Sequence, residues 1–375
     1  MGEIRIHFIS IYVKNIADAL STLRIDDEDI ASRFVWDEYH PDYVIVDACV
    51  YSDSECASAF LRHVRRWNPI TVFISGEAIA PDFNLFDYTA TWDCNLSFMD
   101  RAARLPFKFG ALGETPSTEN NIRTIDEAKS LLREKRGFCN FIYTNRKAHP
   151  FRDNLFRIIS SYRKVDSLGR HINNVNALIT DRDGSSSNWF KIGIELKSAY
   201  KFSIASENAS YGGYTTEKLT TSFLAHTVPI YWGNKFVCDE FNPEAFVDCG
   251  RYSSPDEIVR RVQEIDRDDD LWAYMVSRPW QTPQQIAAQS MRLEDFRQFV
   301  AHIFTQPLSE ARRRPEGTFA DICWENFAGG RSALWKNWRR LTRPRLLRRV
   351  ANALHRKLFV PHRVTIDDFL KEHTF

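Results

Sequence analysis

The chain has 375 residues, with 50 Lys and Arg against 49 Asp and Glu, a net charge of +1, and 43% hydrophobic residues. That balance excludes a disordered tail, a collagen-like chain and a coat for nucleic acid. The neutral sum is a cancellation, because residues 326–366 hold eleven Lys and Arg and no Asp or Glu, leaving 39 basic and 49 acidic residues, a net −10, elsewhere.

In chain order, the opening MGEIRIHFISIYVKN carries charge within its apolar run and lacks a small-residue cleavage site, so it reads as a first strand over 4–13 and not as a signal peptide. Further apolar, β-branched runs predict strands at 43–50, 70–75 and 88–91. A polar stretch over 113–136 separates these from a second series, with strands at 138–143, 201–205, 228–231 and 245–248. Helical periodicity places helices at 152–163, 216–225 and 255–265. Ser254-Pro255-Asp256-Glu257 is a helix start with a hydroxyl cap, proline at the first position and early carboxylates. The alternation predicts an α/β chain of two Rossmann-like halves, with ligands at the loops after the strands. No apolar window approaches the roughly 18 residues of a membrane span. Seven cysteines form no C-x-x-C pair, which fits a reducing compartment.

The densest cluster of polar chemistry runs from Lys201 to Lys218, KFSIASENASYGGYTTEK. An apolar strand enters a polar, glycine-bearing loop and then a helix opening with Thr216, Glu217 and Lys218. Loop amides and a helix N-terminus suit a diphosphate, Lys218 can add a point charge, and Glu217 can accept from vicinal sugar hydroxyls. The same pattern is also an ordinary turn before a capped helix, and composition alone does not separate the two. Acidic runs at Asp26 to Asp29, Asp181 to Asp183 and Asp268 to Asp270 sit in polar stretches that read as loops or helix ends, so no metal site is expected.

The run E-N-x4-G-Y-x-T-E-K from Glu207 to Lys218 is followed by AHTVPIYWG (225–233) and FNPEAFV (241–247). Together they resemble the donor-binding signature of the α1,3/4-fucosyltransferases, particularly the bacterial ones. Upstream, 136–145 with Pro150-Phe-Arg152, the segment VDSLGR (165–170), and Gly76-Glu77 through Tyr88 are similar to further family motifs. The resemblance covers about residues 70–247 and implies a GT-B fold. It would comprise an acceptor domain over 1–136, a GDP-fucose domain over 137–305 and a helical region over 306–375. It implies inverting transfer from GDP-β-L-fucose without a required metal or other cofactor. By the same resemblance, Glu77 is the catalytic base. Arg152 clamps the pyrophosphate with a fork that meets two oxygens, and Lys218 adds charge. Asn208 and Tyr214 face the diphosphate sugar, Glu217 its hydroxyls, Asn145 lies at the matching strand end, and Gly213 frees the loop. Trp232 and His226 read as packing residues.

The family likeness implies a glycan acceptor of N-acetyllactosamine type, on lipopolysaccharide or another lipid carrier. In the basic tail, Leu334, Trp335, Trp338, Leu341, Leu346, Leu347, Val350, Leu354 and Leu358 form an apolar stripe flanked by arginine. Residues 331–360 are therefore expected on an anionic membrane surface, placing the enzyme in the cytoplasm on the inner face of the membrane, with no specific nucleic acid partner. Packing of that stripe on the protein body is the competing expectation. Another nucleotide-sugar donor, such as GDP-mannose, or an inactive glycan- or nucleotide-binding module are the rival functions.

Overall fold

A computed structural model describes residues 2–9, 24–25, 28–106, 124–180, 189–317, 320, 324, 327 and 362–365. The basic segment 331–360 and the acidic run 181–183 lie outside the described residues. The chain divides into two compact units, Met1–Thr115 with Ala288–Asn352, and Pro116–Ala287 with Ala353–Phe375.

In the first unit, β1 (Ile4–Ile9), β2 (Phe34–Trp36), β3 (Tyr43–Val46), β4 (Ile70–Ile74), β5 (Tyr88–Thr91) and β6 (Ala102–Arg104) form one parallel sheet in the order β2-β1-β3-β4-β5-β6. The runs YVIV, ITVFI and YTAT are buried at every position, as parallel strands covered on both faces must be. The β3–β4 crossover is α1 (Ser54–Trp67). Asp53 caps it by accepting from the amides of Glu55 and Cys56, and it ends where Asn68 turns to φ 45°. The strand expected over 43–50 stops at Val46, because the Asp47 carboxylate accepts from the Cys49 amide at 2.6 Å and turns the chain into a short helix, Cys49–Ser52.

Residues 306–317, expected in a separate C-terminal region, belong to this first unit. Asp87, fully buried, explains the attachment. One carboxylate oxygen accepts from the amides of Arg313 and Arg314, both at 2.8 Å, and the other from the Thr71 amide at 2.8 Å. The Arg314 guanidinium, also buried, donates to Thr71 Oγ1 at 3.0 Å and to the Pro69 carbonyl at 2.9 Å. Burial lowers the Arg314 pKa to about 10, against the pull of Asp87. Removing one partner of such a buried network costs about 3–5 kcal/mol. Asp87→Ala is therefore expected to lower unfolding stability by that order, read as a fall in the urea midpoint. A loss below about 1 kcal/mol would show the network to be dispensable.

The second unit opens with α2 (Ile125–Glu134), held by a reciprocal capping box between Thr124 and Glu127. It also lay within the expected first domain, but its buried Ala128 belongs to the same core as Trp272 and Ala273. There follow β7 (Gly137–Phe141), α3 (Phe151–Tyr162), β8 (Val165–Ser167), β9 (Ala177–Thr180), α4 (Trp189–Ser198), β10 (Tyr200–Ser206), α5 (Glu217–Leu224), β11 (Val228–Trp232) and β12 (Val247–Asp248). Then come α6 (Pro255–Arg267), α7 (Asp269–Ser277) and α8 (Pro283–Thr305), which belongs to the first unit from Ala288 onward. Ser254 caps α6 with Pro255 at its first position. Asp268 of the acidic run caps α7 by accepting from the Leu271 amide. The last described strand, β13 (His362–Thr365), pairs in parallel with β9.

The main sheet here is parallel with order β8-β7-β10-β11-β12. Connections from β7 run toward β8, and from β10 toward β11, so strand order reverses between β7 and β10. Right-handed crossovers leading in opposite directions place α3 and α5 on opposite faces, and both helices begin at the carboxyl ends of these two strands. That point is where an α/β sheet of this kind receives a ligand.

Candidate active site

The reversal point in the second unit is occupied by Arg152, two residues into α3. Its Nη2 donates to the Ser206 carbonyl at 2.9 Å and to Asn208 Oδ1 at 2.7 Å. The guanidinium lies over the Tyr143 ring, 4.1 Å from its centroid. Tyr143 is itself fixed, donating from its hydroxyl to the Ile204 carbonyl at 2.8 Å and accepting from the Ser206 amide at 2.7 Å. Arg152 is only 1% exposed, yet its Nε and Nη1 meet no acceptor among the described residues. Each buried donor left unpaired costs about 1–3 kcal/mol, more when the group is charged, so this guanidinium is poised for an anion.

Between Ser206 and Asn208 lies Glu207, fully buried and directed to the other side of the strand end by the pleat. Its carboxylate accepts from the Thr216 amide and hydroxyl, both at 2.8 Å, and sits 3.3 Å from Lys218 Nζ. Lys218 also donates to Thr216 Oγ1 at 2.9 Å and to Glu217 Oε1 at 3.2 Å. Burial pushes the Glu207 carboxyl up, against the pull of Lys218. Burial works to lower Lys218, but Glu207 and Glu217 outweigh it and hold the ammonium well above its usual range. Burial likewise opposes ionisation of Glu217, but Lys218 wins and its pKa is lowered. By these directions Glu217 and Lys218 are charged at neutral pH. Three consecutive residues, 206–208, therefore fasten a guanidinium on one side and an ammonium on the other.

Beneath α5, Lys197 donates to Thr221 Oγ1 at 2.6 Å and Ser222 Oγ at 3.2 Å, and Thr221 Oγ1 in turn donates to the Glu217 carbonyl at 2.6 Å. Burial lowers the Lys197 pKa to about 7. Between there and the unfolded value of about 10.4, the unfolded chain binds the extra proton, so stability rises with pH across that window. Wild type is expected to gain urea resistance relative to Lys197→Met between pH 7 and 8.5. A constant difference over that range would show that Lys197 titrates elsewhere.

Glycines shape the two loops. Gly213, at φ 87°, takes a conformation that side chains avoid, and its amide donates to Asn234 Oδ1 at 2.7 Å. Buried Asn234 also donates to Thr215 Oγ1 at 3.0 Å, tying the loop after β11 to the loop after β10. A Cβ on Gly233 would run into the Glu207 side chain. Gly233→Ala is expected to cost about 1–3 kcal/mol through that overlap and to weaken nucleotide binding by displacing Glu207. Unchanged melting and binding would mean that Glu207 can give way freely.

Of the other expected donor contacts, Glu217 is part-exposed at the start of α5. Tyr214 is 2% exposed, and its carbonyl accepts from the Tyr231 hydroxyl at 3.4 Å, so it offers a ligand little surface and serves as a loop anchor in this state. Asn145 is exposed beyond β7 and accepts from the Lys147 amide at 2.8 Å. Trp232 packs its ring on His149 and Phe151. Glu77 belongs to the first unit. It follows β4 on the turn begun by buried Ser75, whose Oγ accepts from the Glu77 amide at 3.1 Å, and its side chain is part-exposed. Glu207, Asn234 and Tyr143 had no role assigned from sequence. A single buried Asn in a Gly-Asn turn, or a Tyr ending an apolar strand, carries no separate signal.

Two family profiles match consecutive parts of the chain: the C-terminal region of glycosyltransferase family 10 (fucosyltransferase) at residues 132–312, and the N-terminal domain of α-(1,3)-fucosyltransferase FucT at residues 29–109. The chain belongs to glycosyltransferase family 10, the fucosyltransferases. Among similar proteins, a putative fucosyltransferase of Acanthamoeba polyphaga mimivirus is 27% identical over 278 residues, covering 72% of this chain and 42% of that protein. The α-(1,3)-fucosyltransferase FucT of Helicobacter pylori is 28% identical over 225 residues, covering 53% and 44%. The family-10 chain thus spans less than half the length of these two relatives. A crystal structure of an α1,3-fucosyltransferase matches with a TM-score of 0.61 at 20% identity, over 84% of this chain and 93% of that one. The fold is accordingly GT-B, with a Rossmann-like sheet in each unit.

Proposed function

We propose that the protein is an inverting α1,3-fucosyltransferase that uses GDP-β-L-fucose and acts on the GlcNAc of an N-acetyllactosamine-like glycan. The buried Arg152 guanidinium, with two donor nitrogens that meet no acceptor among the described residues, at the strand-order reversal, supports this reading most directly. A diphosphate supplies the missing acceptors. Because Arg152 is sealed, the anion enters by displacing a neighbour, and part-exposed Asn208, on a loop that contains Gly212 and Gly213, is the neighbour that can yield. A solved α1,3-fucosyltransferase bound to GDP-fucose shares this fold, with a TM-score of 0.56 at 21% identity, which makes that donor the natural first candidate.

In the proposed step, the bond from the fucose anomeric carbon to the diphosphate oxygen breaks as the acceptor oxygen bonds the opposite face of that carbon. The hydroxyl proton passes to Glu77, and GDP departs with the bonding electron pair. Arg152 and Lys218 hold fixed positive charge where the leaving group gains negative charge, and Glu217 accepts from donor hydroxyls. This arrangement asks for no metal. The test is transfer from GDP-fucose to N-acetyllactosamine in EDTA, with GDP-mannose alongside as donor and product linkage read by NMR. No transfer to any β-galactosyl-GlcNAc acceptor, or a strict need for added metal, would overturn the corresponding part.

The tail, 331–360, is proposed to bring the enzyme to the anionic cytoplasmic face of a membrane that carries the glycan acceptor on lipid. Among the described residues no helix is long and apolar enough to cross a membrane. Because β13 lies beyond this segment and pairs with β9, charge neutralisation is a cleaner test than truncation. Changing the arginines of 331–360 to glutamine should abolish sedimentation with phosphatidylglycerol vesicles and spare transfer to soluble acceptors. Unchanged sedimentation would sink the membrane role.

A further inference from the structure

A second carboxylate stands beside the Arg152 clamp and has no part in the chemistry above. Asp153, the next residue of α3, has a side chain 31% exposed, and its Oδ1 lies 2.7 Å from His171 Nε2. A carboxylate only accepts, so Nε2 must carry the proton, and His171 holds the carboxylate in place. Asp153 Oδ2 accepts no hydrogen bond from any described residue. His171 is joined to the clamp, since its amide donates to the Tyr143 carbonyl at 2.9 Å and the Tyr143 ring carries Arg152.

The loop presenting His171 is built with effort. Ile172, a β-branched residue, is held at φ 56°, a conformation that costs of order 1–3 kcal/mol and is sustained only where surroundings enforce it. The enforcement is visible. Asn174 accepts from the Ser167 amide at 2.7 Å and donates to the Val165 carbonyl at 2.9 Å, while Asn173 donates to the Gly169 carbonyl at 2.9 Å. Strain of this kind, spent on aiming one imidazole at one carboxylate, calls for a function.

By topology Asp153 and His171 lie at the carboxyl ends of β7 and β8, on one flank of the reversal point, and Glu217 lies on the other flank at the start of α5. With a diphosphate held between them, the two ends of a nucleotide sugar extend to the two flanks. The Glu217 carboxylate is already engaged by Lys218, whereas Asp153 has an oxygen that accepts from no described residue. Guanine is the base whose edge offers two parallel N–H donors, from N1 and from the 2-amino group. Adenine and uracil each present an acceptor where one of these would be, which a carboxylate repels. We propose that Asp153, positioned by His171, is the residue that selects guanine in the donor nucleotide. This rests on the reading of the Arg152 site as a nucleotide-diphosphate site.

The experiment compares GDP with inosine diphosphate, which lacks only the 2-amino group, by calorimetry on the full chain. Wild type is expected to bind GDP about 10- to 100-fold more tightly, the weight of one hydrogen bond to a charged acceptor. Asp153→Asn, which cannot accept twice in parallel, should bring the two affinities within about threefold. His171→Ala should reduce the preference and leave the binding of inorganic pyrophosphate unchanged. A wild-type ratio near one, or an undiminished ratio in Asp153→Asn, overturns the assignment while the donor reading stands. Failure of wild type to bind GDP at all overturns both, and pyrophosphate binding shows whether a variant has kept its fold and clamp.

Discussion

Replacing Arg152 with methionine is expected to abolish donor binding without destabilising the free protein. Methionine fills most of the same volume, so no large cavity opens. The folded chain loses two hydrogen bonds, to the Ser206 carbonyl and Asn208 Oδ1, but it also sheds two buried donors that have no acceptor among the described residues. Each bond contributes about 1.5–3 kcal/mol for a charged partner, and each orphan costs about 1–3 kcal/mol, so the two effects nearly offset. Binding has no such compensation. Truncating one side of a desolvated charge pair costs about 2–5 kcal/mol, or roughly 10²- to 10³-fold in affinity at the middle of that range. The paired measurement is the urea midpoint without ligand and the thermal shift produced by GDP. An unchanged midpoint with a lost shift is the signature of a residue kept for function at the expense of local satisfaction. A midpoint that falls by the equivalent of several kcal/mol of unfolding free energy while the GDP shift survives would make Arg152 a structural strut.

The legible part of this site came from residues that conflict with their surroundings. A cation in the first turn of α3 opposes the helix dipole unless an anion compensates, whereas a strand that runs into Glu-Asn, two glycines and Thr-Glu-Lys suits a plain turn as well as a diphosphate and is tipped toward the latter only by the family resemblance. Arg152 and Lys218 are found fastened by one tripeptide. The supporting residues were not legible, because their role depends on neighbours distant in sequence. Tyr143 looks like any strand aromatic until Ser206, Ile204 and Arg152 close on it. Asn234 becomes meaningful only when the Gly213 and Thr215 loop folds back against it.

The fold divides in the same way. Continuous apolar runs announced the buried parallel strands, and Ser254-Pro255 announced α6. Local side-chain caps shortened two expected strands: Asp47 ends the one before Cys49. The span expected over 245–248 begins with a 3-10 turn, Pro243–Ala245, capped by Asn242. The return of Arg313 and Arg314 to the first unit could not be anticipated from an arginine run. It requires Asp87, more than two hundred residues earlier, to be buried with its oxygens facing them.

Glu77→Gln should remove chemistry and spare everything else. The glutamine is the same size, the amide of residue 77 still donates to Ser75 Oγ, and the turn is unaffected. A base that acts on the acceptor hydroxyl makes no bond to the bound donor, so GDP-induced stabilisation and the Michaelis constant for GDP-fucose should match wild type. The amide cannot take a proton at neutral pH, and loss of a general base slows turnover by about 10²- to 10⁴-fold. Such a mutant would lower kcat and kcat/KM together, the pattern of an interaction made in the transition state and absent from the bound donor. Arg152→Met should show the opposite division, failing at donor binding before any chemistry. The contrast between the two variants therefore tests the assignment of base to one unit and clamp to the other. Turnover of Glu77→Gln within about threefold of wild type would place the base elsewhere. A lost GDP shift in the same variant would mean that Glu77 supports donor binding and is not a base acting on the acceptor.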